Sequence, residues 1–171
     1  GGDGFINVIA QKAIDHSCKM AILPFGRGND FARSLNIDTL EKAVDAIRNR
    51  QFKSVRYLDV VFSKYSRVSL TNAGVGLLSE AAIRASKIPM LKGSLLYASA
   101  ALISFIKLKS HKYIVTTETQ KMVMENLILA GAASEYTGGG MYIAPDARKL
   151  SSKLNLLFAK KLSRLQAVNL L

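Results

Sequence analysis

Cysteine is nearly absent from this chain: Cys18 stands alone among 171 residues. One thiol excludes a disulfide framework and any cysteine-rich zinc site, and it suits a reducing compartment. Long apolar runs are missing as well. The longest uncharged run covers residues 93–106 and is closed by Lys92 and Lys107. It falls short of the roughly 20 residues that cross a bilayer, so it reads as a buried or interfacial helix. No basic leader with an apolar core opens the chain, which begins Gly1-Gly2-Asp3-Gly4. Acids are scarce, at 12 against 24 Lys and Arg, for a net charge of +12.

What is present describes a folded protein. Hydrophobic residues at 49% and charged residues at 21% exclude disorder and collagen-like structure. The length suits one domain or two small ones, able to bury roughly 70% of the unfolded surface. The charge is uneven: residues 1–56 hold nine bases and six acids, and residues 57–171 hold fifteen and six. Residues 81–117 and 147–171 contain no acid, with six Lys and Arg in each. Such surfaces attract nucleotides, nucleic acid or an anionic membrane, or simply keep the chain soluble.

The glycine-rich start leads into a helical pattern with apolar Ile6, Ile9, Ala10, Ala13 and Ile14. A glycine loop opening a helix normally follows a buried strand, so the sequence reads as a fragment without its first strand. Residues 20–23 read as a buried parallel strand ended by Pro24. A second glycine loop, 25–30, precedes a short helix at 31–35. Asp38 and Glu41 suggest a capped helix start, and Leu40, Ala43, Val44 and Ile47 give that helix an apolar stripe. Strands follow at 56–62 and 67–72, with a third glycine loop at 74–76. Residues 77–109 read as helix broken at Pro89, and 112–117 and 122–129 as strands. A fourth glycine loop lies at 137–140, a short strand or arm at 141–145, a last strand at 154–159, and a helical tail from 162. Helix-rich units thus precede antiparallel pairs. The expected fold is α/β plus β, divided near residue 54: a partial α/β nucleotide-binding domain over 1–54 and a β-sandwich-type domain with helical insertions over 55–171.

Four glycine loops carry the chemical signal. Glycine lets the backbone approach a phosphate closely, and successive amides beside a helix N-terminus then face the anion. Gly74-Val75-Gly76 alone reads as a plain turn rather than a phosphate loop. The two N-terminal loops pair glycines with aspartates, which is awkward beside a phosphate unless Mg²⁺ or a substrate hydroxyl needs the acid. Asp3 and Asp30 are therefore working residues or helix caps. His16 and His111 have no metal-like spacing, and Cys18 beside Lys19 is unremarkable for a turn.

Gly-Gly-Asp-Gly at 1–4 resembles the nucleotide-binding motif of the diacylglycerol kinase, sphingosine kinase and NAD kinase superfamily. Residues 23–33, Leu-Pro-Phe-Gly-Arg-Gly-Asn-Asp-Phe-Ala-Arg, resemble a segment specific to its lipid-kinase branch. Leu58-Asp59-Val60, Asn72-Ala73-Gly74-Val75-Gly76 and residues 138–147 match later landmarks in order. The resemblance implies a nucleotide domain followed by a β-sandwich, and transfer of the γ-phosphate of ATP, with Mg²⁺, to a lipid hydroxyl such as that of diacylglycerol. It makes Asp3 the catalytic residue, as general base or in a Mg²⁺–water network, places ATP on Gly1, Gly2, Gly4, Gly26, Arg27, Gly28 and Asn29, and makes Asp30 and Asp59 metal-site acids. Phosphoryl transfer relies on positioning and charge neutralisation, so these are suitable parts.

The chain departs from the family at Phe5 and Arg27, where Thr is usual, and at Val8, where Glu is usual. It also has no acid in 150–155. The alternative reading is therefore a catalytically degenerate relative that binds nucleotide or anionic membrane without turnover. Tyr97, Lys92, Lys107, Lys109 and Lys112 suit peripheral docking on an anionic membrane from the cytoplasm. Leu95, Ala98, Leu102, Phe105 and Ile106 share a helical face that would line a lipid groove or pack as plain core. No zinc-finger or aromatic RNA-binding pattern is present, so no specific nucleic-acid partner is expected. The oligomeric state stays open, a homodimer included.

Overall fold

A computed structural model describes residues 1–76, 79, 110–148 and 153–160. The expected helix over 77–109, its lipid-facing stripe and its lysines up to Lys109, the segment 149–152 and the tail from 162 lie outside the described residues.

Three helices come first: α1 (Asp3–Asp15), α2 (Asp30–Ser34) and α3 (Leu40–Arg48). In α1 the stripe turns Ile6 and Ala10 inward and leaves Ile9 and Ile14 largely outside. Its first turn carries Asp3 and its last turn Lys12, each matched to the helix dipole. The cap of α3 is Thr39 rather than Asp38: Thr39 Oγ1 accepts the Lys42 amide at 3.3 Å, from an extended backbone at φ −110°. Asp38 instead takes the Lys42 ammonium at 2.8 Å. This hydrogen bond holds the exposed Asp38 carboxyl below its ordinary pKa.

The strands are β1 (Leu58–Val61), β2 (Ser66–Ser69), β3 (Asn72–Gly76), β4 (His111–Thr116), β5 (Lys121–Asn126), β6 (Ile128–Ala132), β7 (Tyr136–Thr137), β8 (Met141–Tyr142) and β9 (Asn155–Ala159). β1 and β2 form an antiparallel hairpin, with Leu58 opposite Ser69 and Val61 opposite Ser66. β4 pairs with β5, β7 with β8, and a three-stranded sheet has the order β3-β6-β9.

Three expectations need correction. Residues 20–23 form no strand, because no described strand supplies them with a ladder. Residues 74–76 are neither loop nor turn but the end of β3. A Cβ on Gly74 would lie 2.8 Å from the Leu129 carbonyl oxygen, so this glycine serves close strand approach. The run 122–129 is two strands, divided at the buried Leu127, whose amide turns to the Ala159 carbonyl at 2.7 Å.

The contacts divide the chain into two compact units. One joins Gly1–Ala73 to Gly131–Leu156, and the other joins Gly74–Ala130 to Leu157–Leu171. Each unit draws on two stretches of chain. In the first unit Ile6, Ala10, Phe31, Val68 and Leu70 form a core, with Met20, Ile22, Leu35 and Val55 against it. A large side chain buried there contributes about 1.5–3 kcal/mol. α1 also completes the β2 segment by hydrogen bonding. Gln11 Oε1 accepts the Val68 amide at 3.1 Å and Asn7 Oδ1 the Leu70 amide at 2.9 Å. Asn7 and Gln11 are four residues apart, hence on one helix face. Among the described residues no helix is long and apolar enough to cross a membrane.

Candidate functional site

The site lies within the first unit, where three glycine-bearing segments meet two aspartates. The loop 24–29 closes on Asn29, which takes a left-handed conformation at φ 51° and ψ 37°. Asparagine tolerates that region better than most residues. Its Oδ1 accepts the Gly26 amide at 2.7 Å, and its Nδ2 donates to the carbonyls of Pro24 at 3.0 Å and Gly26 at 2.9 Å. Sequence reasoning gave Asn29 to the nucleotide, but its side chain holds the loop in shape.

Gly2 and Gly26 are required by a backbone crossing. A Cβ on Gly2 would stand 3.1 Å from the Gly26 Cα, and one on Gly26 would overlap the Gly2 Cα. Gly28 faces both acids: its Cβ would lie 3.2 Å from Asp3 Oδ2, 3.4 Å from Asp30 Oδ2 and 3.4 Å from the Gly139 Cα. Gly4, in the first turn of α1, has open space where a Cβ would be. The amides of that turn have no carbonyl within the helix to accept them. Gly1 lies against the Phe5 ring, and its amino group donates to the Leu23 carbonyl at 2.8 Å.

Asp3 caps α2 from 27 positions away. Its Oδ2 accepts the Asp30 amide at 3.1 Å and its Oδ1 the Phe31 amide at 3.0 Å. α2 has no side-chain cap from its own N-cap residue, Asn29, so Asp3 satisfies its first two donors. Asp30 is 5% exposed. Its Oδ2 accepts the Gly139 amide at 3.0 Å and its Oδ1 the Gly140 amide at 2.7 Å. Those amides belong to the turn between β7 and β8, whose three glycines all have positive φ, 62°, 87° and 109°. Arg33, one turn beyond Asp30, packs its guanidinium where a Cβ of Gly140 would be and sits over the Tyr136 ring at 5.8 Å. Its buried Nε has no partner among the described residues.

The structure thus brings together Asp3, Asp30, Gly2, Gly26, Gly28 and Asn29, with Gly4 on the adjoining helix turn. Arg27 is exposed and makes no hydrogen bond or ion pair with a described residue. Asp59 lies apart in its bonding, on the exposed side of β1, opposite Val68 in register. The turn 138–140 was visible as a glycine run, but its engagement with Asp30 spans 109 positions and has no local signal. Arg33, Asn7 and Gln11 carried none either.

Each of the four oxygens of Asp3 and Asp30 already accepts one backbone amide, which leaves one lone pair on each for a hard cation or a water. Among the described residues no three His, Cys, Asp or Glu side chains gather into a metal-sized group. A second polar cluster lies behind α2. Arg148 Nη1 donates to Ser34 Oγ at 2.9 Å, and its guanidinium lies 6.0 Å from the Phe31 ring centre. Burial lowers the Arg148 pKa, the nearby Glu135 opposes that, and Arg56 adds to it.

Comparison with known proteins assigns the family. Residues 71–171, more than half of the chain, match the YegS C-terminal NAD kinase beta sandwich-like domain. Residues 1–60 match the diacylglycerol kinase catalytic domain. The chain belongs to the family of diacylglycerol and YegS-like lipid kinases. The family fold accounts for the mixed α/β start and the β-rich remainder. A protein of Enterobacter sp. (strain 638) named "Probable lipid kinase YegS-like" is 29% identical over 86% of this chain and 50% of its own length. A diacylglycerol kinase of Bacillus subtilis (strain 168) is 25% identical over 94% of this chain and 54% of its own. The crystal structure of a diacylglycerol kinase from Bacillus anthracis str. Sterne aligns with a TM-score of 0.64 at 21% identity, over 94% of this chain and 52% of that one. The chain therefore spans about half the length of these relatives.

Proposed function

We propose that this chain is part of an ATP-dependent lipid kinase that transfers the γ-phosphate of ATP to a lipid hydroxyl such as that of diacylglycerol, giving phosphatidic acid. The observation that carries the reading is the crossing of the Gly-Gly-Asp-Gly and Gly-Arg-Gly-Asn-Asp loops at Gly2 and Gly26, beside the open first turn of α1. Exposed amides at that turn suit the nucleotide's phosphates, and Arg27 is a cation free to meet them. Gly4 and Gly28 keep the backbone low enough for close approach. Asp3 is the central acid, since it ties both loops to one helix. Magnesium enters on the nucleotide's phosphates rather than in a protein-built cage. The acid-free stretches 81–117 and 147–171 suit work at an anionic membrane surface on the cytoplasmic side. A passage from nucleotide to lipid region near residue 54 is supported by the change from helices to strands along the chain.

One observation favours the second reading, nucleotide binding without turnover. Both central carboxylates are committed to backbone amides, and the stretch 150–155 supplies no acid. A single experiment separates the two. The chain is mixed with Mg-ATP labelled in the γ-phosphate and diacylglycerol in micelles. Labelled phosphatidic acid, reduced several-fold in Arg27→Ala through weaker nucleotide binding, is expected for the kinase. Nucleotide binding by calorimetry without labelled lipid selects the second reading, and absence of both sinks the two together.

A further inference from the structure

We infer that Asp30 is a positioning residue that fixes the glycine turn 138–140 as a third wall of the nucleotide loops, at the end of a relay that begins at Asp3. This deepens the reading above by naming how the site is assembled. Its test reads amide exchange and needs neither nucleotide, lipid nor turnover, so its failure is distinguishable from failure of that reading.

The relay has two steps. Asp3, on α1, holds the first two amides of α2, and Asp30, the first residue of α2, holds the amides of Gly139 and Gly140. Successive amides in left-handed backbone form a concave anion receptor. Here the receptor is filled by the chain's own carboxylate, buried to 5% exposure. The same short helix supplies a second contact, because Arg33 lies three positions from Asp30 and shares its face. Its guanidinium occupies the space beside Gly140, whose φ of 109° already disfavours a side chain. The turn is thereby held beside Gly28, whose Cβ would touch the Gly139 Cα at 3.4 Å, while Gly139 itself keeps open space. Gly28 and Gly139 then present adjoining bare backbone.

A carboxylate is specifically required. Asparagine has one acceptor atom and would set its amide group against the N–H of Gly139 or Gly140. A metal-ligand role makes the opposite forecast, since its loss would leave the metal-free chain unchanged.

The test is amide hydrogen exchange on the full chain in EDTA, for wild type and Asp30→Asn. The wild type is expected to protect the Gly139 and Gly140 amides equally with and without Mg²⁺. Asp30→Asn is expected to lose about tenfold of that protection, as for a hydrogen bond to a charged group, while α3 amides keep theirs. Unchanged protection in Asp30→Asn overturns the inference. So does a wild type whose Gly139 and Gly140 amides exchange freely, or are protected only when Mg²⁺ is added. Should Asp30→Asn fail to fold, the wild-type measurement and Arg33→Ala decide: Arg33→Ala is expected to loosen the same two amides, and no change there counts against the clamp.

Discussion

The carboxylate–glycine cluster of the first unit and the β4–β5 hairpin of the second treat polar and apolar groups in opposite ways. In the cluster, Asp3, Asp30 and Asn29 turn every side-chain oxygen to a backbone amide. In the hairpin, Asn126 is 1% exposed, yet neither of its amide atoms has a partner among the described residues. Meanwhile Ile114 and Val123, directly opposite in register, are 63% and 59% exposed. Val123, Asn126, Phe158 and Lys160 line an open cleft of about 500 Å³. The contrast teaches that buried polar side chains have two uses. When each atom meets an amide, the group shapes backbone, and substitution is costly. When none does, the group contributes a desolvation penalty, and its removal is cheap.

Substitutions can break or sharpen that comparison. The largest effect is expected from Gly26→Ala. Its Cβ would run into the Gly2 backbone, which cannot yield as a flexible side chain would. A loss of about 3 kcal/mol or more is expected in denaturant titration, in the range of severe overpacking. A loss under about 1 kcal/mol would show that the two loops do not cross so closely. Asn126→Leu, similar in volume, is expected to leave stability unchanged or raise it by about 1 kcal/mol. A marked loss in the thermal midpoint would mean that the amide has a partner after all, and the contrast would fail.

The smallest effect concerns the solvated Asp38–Lys42 pair. Its folded-state pKa is lowered, so its contribution is complete above the ordinary aspartate value of 3.8 and fades as pH falls through the lowered one. Asp38→Asn should therefore narrow the gap in stability between neutral and acid pH slightly, less so in high salt. A pH profile identical to wild type at low salt would dismiss the pair.

Much of the secondary structure was legible in residue types. α1 and α3 follow 3.6-residue spacing, and the β1–β2 hairpin follows alternation and turn residues. Errors arose where a partner decides. Residues 20–23 have the composition of a strand, but a strand exists only with a ladder. Gly74 and Gly76 have the composition of a loop, but both lie in β3, where a side chain would run into Leu129 and Ala130 at Gly74 and into the Leu127 carbonyl at Gly76. Asp38 and Thr39 are both good caps, and only the extended backbone at Thr39 chose between them.

The sequence by itself singled out Asp3, Asp30 and the glycines around them, but not Arg33 or the tie from Asp30 to the turn 138–140. Glycine and aspartate in those spacings are short-range chemistry, and the family resemblance rests on the same letters. Only the tertiary structure decided what each does. A carboxylate looks the same in sequence whether it awaits a metal, a proton or a backbone amide. The choice depends on which donors the fold brings within hydrogen-bond reach, and for Asp3 and Asp30 these come from 27 to 110 positions away.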